Sequence, residues 1–318
     1  MTEMPTRKLT GSLIERADEL YGFGALFGAA PIVAEPEPEP VAVRVVPVHV
    51  EAETPLDLAV APDVEELPPR IERRSKARID RKMLSAKGLL VPDAPVGALA
   101  EEFRLVKRQL LGTARKVAAT DPAKARAMLV CSAKPNDGKT FCAINLAISI
   151  AAERDVEVLL IDADFAKPDV MEELGLREGR GLLDMLGDPS IDPETCVVPT
   201  DIPQLSLLPV GAKTNSDTEL LASKRTGEVI ATLLAAKPNR LLIFDSPPAL
   251  AASPAAVLAS HAGQVMLVVR ADRTAESDLR EAVALLDGCD EIQLVLNAVT
   301  YAPGGRRYGG YYGQENPK

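Results

Sequence analysis

With 318 residues the chain has room for one large domain or two small ones, and a hydrophobic fraction of 47% allows a sizeable core. Its formal net charge of −10 lacks the basic footprint of a general nucleic-acid binder, so no nucleic-acid partner is expected. Four scattered cysteines (Cys131, Cys142, Cys196 and Cys289) contain no CxxC pair and fit neither a zinc site nor a disulfide framework, and two histidines, His49 and His261, disfavour a His-based metal centre or a Ser-His-Asp triad.

Residues 1–90 read as a largely disordered arm. Residues 12–27, "SLIERADELYGFGALF", have the spacing of one short amphipathic helix. "EPEPEP" at 35–40 and the Pro/Val/Glu-rich stretch to Pro69 hold neither a helix nor a central strand. Residues 70–82, "RIERRSKARIDRK", carry seven basic side chains against two acidic ones. The plain reading is a solvated helix or linker, and the sharper one is a touch-point for an anionic membrane surface or an acidic partner. No apolar run approaches the roughly 20 residues that span a bilayer. The N-terminus lacks the apolar centre of a signal peptide, so the expected location is cytoplasmic.

Residues 91–300 change character. Apolar runs of strand length at 127–133, 156–164, 205–211, 240–246, 264–272 and 292–299 alternate with helical periodicity at 138–155, 218–236 and 276–288. Near-continuous apolar strands separated by helices predict an α/β doubly wound domain, with a mostly parallel sheet buried on both faces.

The first strand runs into "AKPNDGKT" (133–140) and then directly into a helix, the context a P-loop requires. Backbone amides of Asn136, Asp137, Gly138, Lys139 and Thr140, together with the helix start that includes Phe141, are expected to cradle phosphates. Lys139 is placed to reach the β- and γ-phosphates and the Thr140 hydroxyl to ligate Mg2+. The second strand ends in "LLIDADFAKP", and period two puts Asp162 and Asp164 on one face. "LLIFDSPP" ends a later strand in Asp245, a Walker B position. Ligands of open α/β sheets bind beyond the carboxyl ends of the strands, where these groups converge. "LVLNAVT" ends the last strand in Asn297, whose amide either reads an adenine edge or forms a turn.

The last 18 residues, "YAPGGRRYGGYYGQENPK" (301–318), hold four of the five tyrosines: Tyr301, Tyr308, Tyr311 and Tyr312. A Gly-rich terminus cannot bury these rings as tyrosine usually does.

"SAKPNDGKTFCAINLAISIA", "VLLIDADFAKP", "LLIFDSPP" and the terminal tyrosine cluster together resemble the bacterial tyrosine kinase family, autokinases that use P-loop machinery. The likeness is strongest to its exopolysaccharide-locus, exosortase-associated branch. The resemblance implies ATP and Mg2+ as cofactors, Lys139, Asp162, Asp164 and Asp245 as catalytic groups, Thr140, Asp164 and Asp245 around the metal, and Asp162 to position or deprotonate the incoming phenol. It also implies that the tail tyrosines are the substrate, phosphorylated by a neighbouring subunit. An 18-residue flexible segment has a reach of about 23 Å. By the same resemblance "EEFRLVKRQLL" supplies Glu101, Arg104 and Lys107 to a ring-like homo-oligomer, with Arg108 as a substitute for Lys107. A membrane chain-length regulator would act as adaptor and hold the protein at the inner membrane.

Three departures stand against the family pattern. Ala166 occupies a position that is often Arg, Asn136-Asp137 replaces Gly-Glu, and Lys134 sits where dimerising ATPase switches of the ParA/MinD type carry a signature lysine. The last keeps an ATPase switch without kinase activity as the alternative.

Overall fold

The computed structural model describes residues 75–299, all within one unit running from Pro69 to Lys318. The arm before residue 75, with its expected helix at 12–27, and the tail tyrosines Tyr301, Tyr308, Tyr311 and Tyr312 lie outside the described residues.

Seven strands form one sheet among the described residues: β1 (Ala127–Ser132), β2 (Glu157–Asp162), β3 (Val198–Pro199), β4 (Leu205–Leu208), β5 (Arg240–Asp245), β6 (Gln264–Arg270) and β7 (Ile292–Asn297). Their order is β3-β4-β2-β5-β1-β6-β7, and every neighbouring pair is parallel except β3 with β4. This is the expected α/β doubly wound, mostly parallel sheet.

The apolar runs make this arrangement because both faces of the central strands need cover. On β1, Leu129 and Cys131 face one layer while Met128 and Val130 face the other. The first layer is built by α5 (Leu182–Gly187), α6 (Asp217–Leu221), α7 (Lys224–Ala236), α8 (Pro254–His261) and α9 (Glu276–Leu285). The second holds α1 (Arg81–Ala86), α2 (Ala98–Val117), α3 (Lys139–Ala151) and α4 (Val170–Glu173). Strands β1, β2 and β5 lie side by side in the middle, which brings their carboxyl ends together.

Three elements differ from the sequence reading. The helical pattern at 218–236 is two helices, not one. The Ser223 hydroxyl donates to the Leu220 carbonyl at 2.6 Å, the Thr226 hydroxyl to the Leu221 carbonyl at 2.6 Å, and Ser223 adopts an extended conformation that starts α7. Side chains thus satisfy the last carbonyls of α6 and end it. The two-residue β3 had no strand signature, and its Pro199 suits an edge.

The third difference concerns the basic stretch. Its described part, residues 75–82, is neither a free linker nor merely solvated. Ala77 bridges Thr200, the Ile79 amide donates to Asp201 at 3.0 Å, and Arg81 pairs with Asp201 at 3.0 Å. Asp80 caps α1 by accepting from the Lys82 and Met83 amides. Ile79, Leu84 and Leu89 are buried in the layer that holds α3. Folded structure therefore begins by Ala77, ahead of the boundary expected at 91. Single apolar residues spaced among charges gave too weak a period to reveal it. Among the described residues no helix is long and apolar enough to cross a membrane.

Because Leu84 is fully buried, Leu84→Ala is expected to lower folding stability by about 2–5 kcal/mol. Urea denaturation measures this, and a loss below about 1 kcal/mol would remove the segment from the core.

Candidate functional site

The loop between β1 and α3 is shaped by its own backbone. Asn136 and Gly138 both have positive φ, 66° and 95°, and Gly138 is the N-cap of α3. A bulkier residue at 138 is excluded twice, since an added Cβ would lie 2.1 Å from Asn297 Nδ2 and the left-handed φ disfavours any side chain. Alternation of such residues curls the chain into an anion-binding hollow at a helix N-terminus. Ser132 Oγ donates to the Lys134 carbonyl at 2.8 Å and the Lys134 amide to Asp137 Oδ2 at 3.2 Å, so side chains on either flank hold the curl.

Lys139 is the centre of the charge cluster. It is 9% exposed, and its Nζ lies 2.6 Å from Asp164 Oδ2, 3.9 Å from Asp245 Oδ1 and 3.2 Å from Thr140 Oγ1. Burial works to lower its proton affinity, but Asp245, Asp164 and Asp162 prevail and hold it above the ordinary lysine value.

The carboxylates are not equivalent. β2 ends at Asp162, so the strand period does not extend to Asp164. Instead the chain turns back, and the Asp164 amide donates to Asp162 Oδ1 at 3.1 Å. Asp162 Oδ2 accepts from the Val170 amide at 3.0 Å, at the start of α4. Burial, then the charge of Asp245, pushes Asp162 up to about 8 against these two amide donors. Asp245 is its register partner on β5. It is fully buried, and neither of its oxygens has a hydrogen-bond partner. Burial raises it to about 6, with Lys139 and the Thr140 hydroxyl pulling the other way.

An orphaned buried carboxylate beside a threonine hydroxyl and an anion hollow fits a cation that arrives with phosphate. Among the described residues no three or more His, Cys, Asp or Glu side chains form a metal cage. Mg2+ is typically held by one or two carboxylates, with phosphate and water filling its shell, so Asp164 and Asp245 with the Thr140 hydroxyl suit it in that company. A cleft of about 380 Å3 is lined in part by Phe165, Ala166, Asp217 and Pro247, which include residues that follow Asp164 and Asp245 in the chain, but not by those carboxylates themselves. A second cavity, about 400 Å3, lies at the opposite end of the strands near Lys124 and Cys289.

Four sequence expectations change. Asn297 turns its amide toward the P-loop, its Nδ2 donating to the Asp137 carbonyl at 2.9 Å while its Oδ1 accepts from the Ala298 amide at 2.9 Å. Phe141 turns its ring away into the α2–α3 contact, edge-on to Phe103 with centroids 6.5 Å apart, which leaves only its backbone for the loop. Lys107 is buried, 8% exposed, donating to the Ser149 carbonyl at 3.0 Å and pairing with Glu153 at 2.6 Å. It belongs to the inward stripe Phe103–Lys107–Leu110, whereas Glu101 and Arg104 pair on the outward side, where Arg108 is also exposed. Lys134 is engaged within its own chain, 2.5 Å from Asp278 Oδ2 on α9. Sequence reasoning missed Arg270, whose Nη1 donates to the Asn136 carbonyl at 2.9 Å. A contact to a backbone carbonyl leaves no pattern in the sequence.

No protein-family model matches the chain. Tyrosine-protein kinase Wzc of Salmonella typhimurium is 34% identical over 193 residues, which is 59% of this chain and 26% of Wzc. Tyrosine-protein kinase YwqD of Bacillus subtilis is 29% identical over 212 residues, 67% of this chain and 85% of YwqD. Over these stretches the chain is similar to bacterial tyrosine kinases. It spans about a quarter of the length of Wzc and of further curated kinases it matches. In fold it is similar to the chimerical protein CapA2B2, with a TM-score of 0.57 at 24% identity over 70% of this chain and 93% of that one.

The raised carboxyls give this site a pH signature. A carboxyl with a folded-state value above its ordinary 3.8 keeps more protons folded than unfolded. It therefore favours the folded state at low pH, and that stability is lost as pH rises toward 8. Asp245→Asn removes one of the two raised carboxyls and relieves the other, Asp162, so it is expected to flatten the fall in urea midpoint between about pH 5 and pH 8 without nucleotide. An unchanged slope would place the responsible proton elsewhere.

Proposed function

We propose that this chain is an ATP-dependent protein-tyrosine autokinase whose acceptors are its own tail tyrosines, Tyr301, Tyr308, Tyr311 and Tyr312, phosphorylated between subunits. The observation that carries the reading is the orphaned, buried Asp245 beside Lys139, Thr140 and the P-loop hollow. The names of Wzc and YwqD support tyrosine as the acceptor.

MgATP supplies the transferable phosphoryl group and a cation that balances its charge. The chain's residues supply the rest. Lys139, now paired with Asp164, would turn to phosphate oxygens, and Asp164, Asp245 and Thr140 would be the residues that hold the cation. The acceptor phenol sits in the cleft beside Phe165 and Pro247, where small Ala166 leaves room. Its O–H proton passes to the Asp162 carboxylate as the phenol oxygen forms the new bond to phosphorus and the bond to the ADP oxygen breaks. Asp162 suits this because burial raises its proton affinity. Its two amide bonds fix the carboxylate's orientation.

In this reading the protein assembles as a ring-like homo-oligomer through the outward stripe of α2. Glu101 and Arg104 take the places expected, and exposed Arg108 takes that of buried Lys107. Its cellular setting is the control of exopolysaccharide synthesis and export, at the inner membrane, with a chain-length regulator as membrane adaptor.

Intact-mass spectrometry after MgATP treatment, with peptide mapping, tests the activity. Mass steps of one phosphate confined to the tail, absent in Lys139→Met and slowed about 10²–10⁴-fold in Asp162→Asn with nucleotide affinity retained, are expected. ATP turnover without those steps, with the adaptor's cytoplasmic segment present, would favour the dimerising ATPase switch. For the assembly, Arg104→Glu combined with Arg108→Glu should reduce the solution mass seen by light scattering, while Lys107→Met should act on stability first.

A further inference from the structure

The P-loop is gripped from behind by two side chains that sit at the ends of neighbouring strands. Arg270 is the last residue of β6 and Asn297 the last of β7, and they are register partners. The Ala271 amide donates to the Asn297 carbonyl at 2.9 Å, which fixes the two strand ends to each other. From this joint, Arg270 Nη1 donates to the Asn136 carbonyl and Asn297 Nδ2 to the Asp137 carbonyl, each at 2.9 Å. The orientation of the Asn297 amide follows from its neighbours. The Ala298 N–H can only donate and the Asp137 carbonyl can only accept, so the oxygen must face Ala298 and the NH2 the loop.

The effect on the loop follows from peptide planarity. In a trans peptide the C=O and the next N–H point in opposite directions. Tying back the carbonyls of Asn136 and Asp137 therefore turns the amides of Asp137 and Gly138 the other way. We infer that Arg270 and Asn297 are positioning residues that set the phosphate-binding amides of the P-loop, and that Asn297 acts on the polyphosphate through this latch and not on the base. Gly138 completes the device, because only an absent side chain lets Asn297 Nδ2 approach so closely. Both act through the loop carbonyls, so their assigned role is positioning.

The inference rests on the P-loop holding a polyphosphate, as proposed above, but part of its test does not. Hydrogen exchange of the segment 133–141 in nucleotide-free protein reads the latch alone. Asn297→Asp, which keeps the shape and removes the donor, and Arg270→Ala, whose bond lies at the surface, should each speed exchange there several-fold. Unchanged exchange in both overturns the inference.

Calorimetric binding of ATP, GTP and inorganic tripolyphosphate then separates the two roles of Asn297. Loss of one latch bond should weaken all three by a similar factor, about three- to tenfold. Arg270→Lys, which keeps a donor, should recover most of the loss. Weakening confined to ATP makes Asn297 a base reader and overturns the inference. Equal affinities in every variant overturn it as well. Wild-type protein that binds none of the three removes the nucleotide reading, while the exchange result still stands or falls separately.

Discussion

A single buried ammonium facing three buried carboxylates is the constraint around which this protein is arranged. Lys139 pairs with Asp164 at 2.6 Å, and the register partners Asp162 and Asp245 close the cluster. Burial, together with one positive charge set against three negative ones, raises the proton affinity of Asp162 and Asp245. The cluster is thus electrostatically incomplete, and a divalent cation carried by an anion completes it without disturbing the fold. Keeping these four groups together requires β1, β2 and β5 to be adjacent and parallel, with their carboxyl ends aligned. The sheet order provides that. Burial of the strands on both faces supplies the low dielectric.

Much of this was legible in the residues because it depends on period and order. Runs such as "AMLVCS" and "RLLIFD" announce strands covered on both sides, and "AKPNDGKT" between strand and helix announces the phosphate loop. What the sequence left open depends on direction and on backbone partners. Glu101, Arg104 and Lys107 repeat every three residues, but a spacing of three drifts round a helix with 3.6 residues per turn. By the third member the stripe has turned inward, where Lys107 meets the Ser149 carbonyl. Arg270, Asn297 and Ser223 all act on main-chain carbonyls, and such contacts have no counterpart residue to recognise in a pattern. Ile79 stands alone among charged neighbours, and only the packed structure shows that it belongs to the core.

The two helical layers divide the work. The layer with α2 and α3 carries the phosphate loop and keeps Lys107 as an internal strut between the helices. The layer with α5 to α9 borders the cleft beside Phe165 and Pro247, and its α9 holds Lys134 through Asp278. Chemistry at the carboxyl edge thus draws on both layers, and neither alone forms a site.

The sheet also fixes where the chain enters and leaves. Ala77 joins next to β3, at one edge, while Asn297 ends β7, at the other. Seven spacings of about 4.8 Å, six across the sheet and one more to Ala77, put these points about 34 Å apart. Anything attached before Ala77 and anything attached after Val299 therefore leaves from opposite flanks of the domain. A binding event on one flank does not crowd the other. In a row of subunits set flank to flank, the outgoing end of one would lie beside the incoming end of the next, so connectivity alone would give such a row a direction.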